Sequence, residues 1–191
     1  MIIEDDNFLT VRSKNYIDKI MSTGSDFPYF YSADSVNAGD GCDYMVHVFL
    51  SRSNSLYDKE KWNSSFCTEL RKLALDFIRK HNIKLKKFLR GAVNYTYFNG
   101  KKLSGKHRDH NFPHHQLLIY LNNPEDTKSA TVIIDENDKE VRVYPQKFKA
   151  VFFDDRDHWI ELPQTGHRVV AVFTMLIDDI DNNQGKHHPN D

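Results

Sequence analysis

The chain has 191 residues, of which 39% are hydrophobic and 28% charged, and its net charge is −1. That length is enough to bury a real core in one domain, and the composition excludes a disordered or low-complexity chain. The near-neutral balance gives no bulk reason to expect nucleic acid or an anionic membrane as a partner, and no apolar run reaches the ~18 residues that a membrane helix needs.

Two cysteines, Cys42 and Cys67, lack metal-type spacing and read as free thiols of a reducing compartment. The opening residues MIIEDDNF are acidic and carry no apolar leader, so a cytoplasmic location is expected. Residues 15–21 predict a short helix. The segment 26–41, dense in aromatics, Gly and Asp, predicts a loop or short edge strand. Residues 43–50 (DYMVHVFL) predict a strand with two apolar faces, in which His47 is a hydrogen-bonded core histidine. Residues 64–81 predict the one long helix, capped by Ser64 or Ser65, with Phe66, Leu70, Leu73, Phe77 and Ile78 on its apolar face. It reads as a support helix laid on a sheet.

The basic run 84–90 (KLKKFLR) predicts a solvated strand edge. From there strand signals dominate, at 92–98, 116–121, 129–135, 139–144, 148–153 and 168–177, separated by turn residues such as Asn99-Gly100. Many short strands after a helical front half predict a mainly β (α+β) fold, a sandwich or barrel-like sheet with flanking helices. The expected organisation is a single domain over 1–191: N-terminal strands and support helix (1–90), β-core (91–177) and polar tail (178–191).

The chemistry concentrates in residues 105–119, GKHRDHNFPHHQLLI. His107 and Asp109 stand two apart, so on extended backbone both side chains face one side, about 6–7 Å apart at Cα. An imidazole and a carboxylate so placed can share one ion through bonds of about 2.0–2.2 Å. His158 and His167, both near the last hairpin, are the candidates for a third ligand. His110, His114 and His115 lie too close to the pair to close a site from a separate strand. Arg168 opens an otherwise apolar strand, and an inward guanidinium there requires an anion, for which a carboxylate is the natural bidentate partner.

These residues carry a resemblance. His107-x-Asp109, then His158, then Arg168 resembles the Fe(II)- and 2-oxoglutarate-dependent oxygenases, and specifically their prolyl-hydroxylase-like branch and the short oxygenases of that kind encoded by bacteriophages. The likeness covers about half the chain. Tyr97-Phe98-Asn99-Gly100 stands where that branch has a Tyr-x-x-Gly, and Tyr120-Leu121-Asn122 matches its Tyr-Leu-Asn strand. The resemblance implies a double-stranded β-helix, or jelly roll, with a facial triad of His107, Asp109 and His158 on Fe(II). It further implies that Arg168 with Tyr120 holds the distal carboxylate of 2-oxoglutarate, and that Tyr97 reaches its metal-bound end. The implied reaction uses O2, releases succinate and CO2, and hydroxylates a C–H bond of a peptidyl (prolyl included) or small-molecule substrate. Alternatives are a nucleic-acid demethylase on the same scaffold and a non-catalytic jelly-roll binding module. Against the demethylase, the position six beyond Arg168 is Thr174, where that branch has a second Arg. Residues 124–129 depart from the branch's Gly-Gly and reshape a rim loop.

Overall fold

A computed structural model describes residues 1–36 and 38–178. Among them the elements run β1 (Ile2–Asp5), α1 (Val11–Met21), β2 (Phe30–Ser32), β3 (Tyr44–Leu50), α2 (Cys67–Lys80), β4 (Leu85–Tyr97), β5 (His115–Tyr120), β6 (Thr131–Ile134), β7 (Glu140–Val143), β8 (Ala150–Asp154), β9 (His158–Ile160) and β10 (His167–Ile177). A seven-stranded sheet, β1-β8-β5-β10-β4-β3-β2, faces a three-stranded one, β7-β6-β9. Every strand pair is antiparallel. This is the mainly β, two-sheet architecture that the strand pattern predicted. Isolated bridges Leu103↔Glu161 and His107↔His158 lay residues 103–107 along the free edge of β9 and lengthen the small sheet toward the histidines.

β10 sits in the middle of the large sheet between β5 and β4 and is covered on both faces. That explains why it reads as a continuous apolar run rather than an alternation. Its odd-numbered residues Val169, Ala171 and Phe173 join the larger core beneath the helices. Its even-numbered Val170 and Val172 meet Leu118, Tyr120, Ile133 and Phe153 between the sheets. Gly91 on β4 has no substitute, because a Cβ there would run into the Phe49 ring of β3.

The helices buttress the face of the large sheet away from the small one. Leu70, Leu73, Ala74 and Phe77 of α2 are completely buried. At about 1.5–3 kcal/mol for each large side chain, that stripe outweighs intrinsic helix propensity in holding α2 in place. α1 begins at a Thr10 cap, and the Thr10 and Ser13 hydroxyls donate to Asp76 Oδ2 of α2 at 3.0 and 2.5 Å, joining the helices. α2 itself starts after Phe66 with no side-chain cap. Of the two expected caps, Ser64 and Ser65, Ser64 instead accepts from the Phe66 amide and meets His47 Nε2 at 2.8 Å. His47 is buried, and its other ring nitrogen lies 2.8 Å from the Pro28 carbonyl, so it is the bonded core histidine expected of that strand.

Three features differ from the expectations. β1 pairs with β8, although Ile2 and Ile3 gave too short a signal to mark a strand. The basic run 84–90 opens β4, where Phe88 and Leu89 are fully buried. Its free side is closed by loop atoms rather than by water, since Ser53 N donates to Leu89 O (2.7 Å) and Phe88 N to Glu60 Oε1 (2.8 Å). The division expected at residue 90 falls inside β4. Cys42 and Cys67 are free thiols. Among the described residues, no helix is long and apolar enough to cross a membrane. The polar tail expected from 178 onward lies, beyond Asp178, outside the described residues.

Candidate metal centre and its cavity

Two distant segments meet through backbone hydrogen bonds. His107 N donates to His158 O and His158 N to His107 O, each at 3.0 Å. Residues directly opposed in this way project their side chains to the same face, and the two imidazole centroids are 4.4 Å apart. Each ring is oriented alike: Nδ1 donates to the carbonyl two residues earlier, Gly105 O at 3.0 Å for His107 and Arg156 O at 3.1 Å for His158. That pattern fixes the proton on Nδ1 and turns both Nε2 lone pairs toward one point.

Asp109 completes the group, with Oδ2 3.7 Å from His158 Nε2. The ligand atoms of His107, Asp109 and His158 all lie within 4.8 Å of one another, close to the span that bonds of about 2.0–2.2 Å allow. Burial alone would raise the Asp109 carboxyl pKa. Arg90, then His158 and Arg52, outweigh it and hold the group well below the ordinary carboxylate range. His158 is pushed down to about 4, first by burial and then by His107, so its ring is neutral and free to ligate at physiological pH.

Two arginines hold the far side of the carboxylate. Arg90 Nη1 and Arg52 Nη2 donate to Asp109 Oδ1 at 2.7 and 2.9 Å, and Arg52 Nη1 also donates to the Asp109 carbonyl. Oδ1 is therefore engaged and Oδ2 is left for an ion, which favours a single-oxygen ligand. Neither arginine was singled out in the sequence. Arg52 follows β3 in a polar loop, and Arg90 closes the basic run that reads as surface.

The triad lines a cavity of about 450 Å³ between the sheets, within the usual range for small-molecule sites. Arg168 also lines it and is only 2% exposed. Its Nη2 donates to Thr131 Oγ1 at 2.6 Å, and its guanidinium carbon lies 5.2 Å from the centre of the Tyr120 ring. Its Nε is buried with no hydrogen-bond partner. Asn94 Oδ1 and Gln116 Oε1, on side chains lining the same cavity, are likewise buried and unpartnered. Orphaned buried polar atoms are uncommon because each forfeits a solvation energy of about 1–3 kcal/mol. Three around one cavity mark a place shaped for a polar ligand, and a buried cation with no carboxylate beside it among the described residues calls for an acid. The residues thus fit a divalent ion with a diacid behind it.

The structure brings together His107, Asp109, His158 and Arg168, and sets Tyr120 beneath the guanidinium. The Tyr120 hydroxyl is engaged with Thr131 Oγ1 (2.9 Å) and Val143 O (3.4 Å), so the tyrosine supports Arg168 through its ring and through Thr131. Tyr97 is not brought to the cavity. Over residues 92–97 β4 pairs β3 and β10 without a register shift, so Asn94 and Thr96 share a face with Arg168 and Val170, and Tyr95 and Tyr97 take the other. The Tyr97 hydroxyl instead donates to Asp43 Oδ2 at 2.6 Å. The tyrosine that does line the cavity is Tyr44 of β3. His167, the other ligand candidate, stacks on Tyr95 on that outer face, with centroids 4.7 Å apart. Of the neighbouring histidines, His110 meets Thr174 Oγ1 (2.8 Å), His114 lies against Phe112 O and Asp155, and His115 stacks on Phe152, so all three brace the segment.

No protein-family model and no curated protein matches the chain. Solved structures do. A 2OG-Fe(II) oxygenase family oxidoreductase from Burkholderia pseudomallei superposes with a TM-score of 0.69 at 12% identity, covering 91% of this chain and 84% of that one. A prolyl-4-hydroxylase from Pseudomonas putida gives 0.58 at 12% identity, covering 91% of each. The viral collagen prolyl hydroxylase of Paramecium bursaria Chlorella virus-1, solved with 2-oxoglutarate, gives 0.53 at 17% identity, covering 91% and 94%. At such identities the likeness is one of architecture, and the architecture is the double-stranded β-helix of the 2-oxoglutarate–Fe(II) oxygenases.

Proposed function

We propose that this chain is an Fe(II)- and 2-oxoglutarate-dependent oxygenase that hydroxylates a C–H bond of a peptidyl or small-molecule substrate. The observation that carries the reading is the convergence, in one cavity, of the His107–Asp109–His158 group with a buried Arg168 whose Nε has no partner. The two imidazoles and one carboxylate are the donor set of non-haem ferrous oxygenases, and three ligands leave open positions on the ion. When bound, the iron supplies oxygen activation coupled to decarboxylation of 2-oxoglutarate, with succinate and CO2 as products.

The chain's own part is to bind, orient and exclude water. His107 and His158 offer Nε2 because their Nδ1 protons are tied to Gly105 and Arg156 carbonyls. Arg168, braced by Thr131 and the Tyr120 ring, would take the distal carboxylate in a charge-assisted bond. The Asn94 and Gln116 amides would donate through their NH2 groups to the cosubstrate's other oxygens, in the role that the sequence resemblance gave to Tyr97. Leu118, Ile160, Val170 and Val172 add apolar wall beside these polar groups.

The test is to incubate the iron-loaded protein with 2-oxoglutarate and follow succinate, together with a gain of one oxygen atom in candidate peptides and small molecules. Succinate formation abolished by Asp109→Ala supports the reading. Absence of both turnover and 2-oxoglutarate binding would favour the binding module instead.

A further inference from the structure

The charges around the cavity do not balance. Among the described residues, four guanidiniums line it, from Arg52, Arg90, Arg108 and Arg168, against one carboxylate, Asp109. Arg108 is matched outside, by Asp157 at 2.8 Å and Asp155 at 3.8 Å. Arg52, Arg90 and Arg168 less Asp109 leave an excess of two positive charges. A ferrous ion and a 2-oxoglutarate dianion cancel each other, so the excess persists in the loaded site. One of the two surplus charges belongs to Arg168, which faces the diacid, and the other to Arg52 and Arg90, both gathered on the single oxygen Asp109 Oδ1.

Nothing in the bulk composition anticipates this, since the whole chain carries −1. Each guanidinium has five N–H donors, and the hydrogen bonds to Asp109 occupy two nitrogens of Arg52 and one of Arg90. The Arg90 side chain is 14% exposed and that of Arg52 is 43% exposed, so the pair runs from the buried triad outward to solvent. Low-dielectric walls concentrate the field of such a pair in the cavity. Removing one aspartate oxygen's worth of charge from two guanidiniums leaves capacity for one more oxyanion, accepted side by side.

Resting on the oxygenase reading above, we infer that the primary substrate is a small organic anion whose carboxylate or phosphate docks on Arg52 and Arg90, beside the metal ligand Asp109. Docking there would set the rest of the molecule against Val36, Ile160 and Val172 of the cavity wall, next to the triad. The two arginines would then do two things. They fix Asp109 as a single-oxygen ligand, and they orient the substrate relative to the ion.

The experiment uses the full chain loaded with Mn(II), a redox-silent substitute for iron, and saturated with 2-oxoglutarate. Calorimetric titration compares benzoate and phenyl phosphate with neutral benzamide, which shares the shape and lacks the charge. The expected result is that at least one acid binds one-to-one and about 10-fold or more tighter than benzamide, with affinity falling as salt rises. Whether benzoate or phenyl phosphate binds tighter separates a carboxylate from a phosphate substrate. Arg52→Met, titrated at Mn(II) and 2-oxoglutarate concentrations that saturate the variant, should erase the preference for the acid over the amide, and Arg52→Lys should restore part of it. Equal binding of acids and amide by the wild-type protein, or an acid preference surviving Arg52→Met, would overturn the inference while leaving the oxygenase reading intact. An oligodeoxynucleotide displacing phenyl phosphate at lower concentration would overturn it in favour of a nucleic-acid backbone. Failure of Mn(II) and 2-oxoglutarate to bind at all would instead remove the reading on which it rests.

Discussion

Replacing Arg168 by Met should act in opposite directions on the empty and the loaded protein. In the empty protein the guanidinium is 2% exposed, has no carboxylate partner among the described residues, and keeps an unpartnered Nε. Substitution forfeits the hydrogen bond to Thr131, about 1.5–3 kcal/mol for a charged donor, and the contact with the Tyr120 ring, about 1–2 kcal/mol. It also removes a buried charge whose effective desolvation costs several kcal/mol, and methionine fills a similar volume with apolar atoms. The sum is a stability unchanged or raised by about 1 kcal/mol. The loaded protein should respond the other way. At 2-oxoglutarate equal to ~100 times its dissociation constant, the wild type gains about 2.7 kcal/mol from binding. An affinity ~100-fold weaker, within the range for a lost charge-assisted pair, cuts that to about 0.4 kcal/mol at the same concentration. Urea unfolding of the Mn(II)-loaded protein, with and without 2-oxoglutarate, reads both terms. A variant that is clearly less stable when empty yet keeps the full 2-oxoglutarate-dependent rise would refute the assignment of Arg168 as the acid's anchor.

Other substitutions separate the remaining roles. Asp109→Ala should eliminate tight metal binding and lower stability by about 3 kcal/mol, because it strands Arg90 and Arg52 around an empty position; calorimetric metal titration and urea midpoints check both. Tyr97→Phe should leave 2-oxoglutarate affinity within about twofold, since the hydroxyl is spent on Asp43 outside the cavity, and a 10-fold loss would return the tyrosine to the site. Burial holds the His47 imidazole below its ordinary value, so below about pH 6.5 the unfolded chain takes up the proton before the folded one does. Stability should therefore fall as pH drops through that region, and His47→Gln should flatten part of the fall; an unchanged slope of urea midpoint against pH would contradict it.

How much of this was legible in the sequence depends on what kind of relation each feature is. The pairing of His107 with Asp109 is local, and their spacing on extended backbone already placed them on one side. His158 and Arg168 were legible as polar side chains set against apolar strands, where a functional reason is the usual one. Tyr97 shows the limit. It matches a motif by distance from His107, but its face is decided by register. Residues 92–97 of β4 run past β3 and β10 without a register shift, so Asn94 and not Tyr97 faces inward. A strict alternation counted outward from the inward Arg168 across its partner Thr96 would have found Asn94, but that pairing is itself a product of the fold. Arg52 and Arg90 were invisible for a different reason. A basic run and a polar loop read as solvated surface unless something acidic and buried is known to lie between them, and Asp109 is 57 residues from one and 19 from the other. The short strands β1 and β9 escaped because three or four residues carry too little periodicity, and β9 exists through its pairing with β6 and with the backbone of His107.

The most direct test of a ferrous 2-oxoglutarate centre is an anaerobic titration of the iron(II)-loaded protein with 2-oxoglutarate, followed through the visible charge-transfer absorption that a chelated 2-oxo acid gives with ferrous iron. The expected result is a saturable band at one iron and one 2-oxoglutarate per chain, absent in His158→Ala and shifted to much higher 2-oxoglutarate concentration in Arg168→Met. A wild-type protein that develops no band, or a His158→Ala variant that keeps it, would contradict the assignment of these side chains to the metal and its acid.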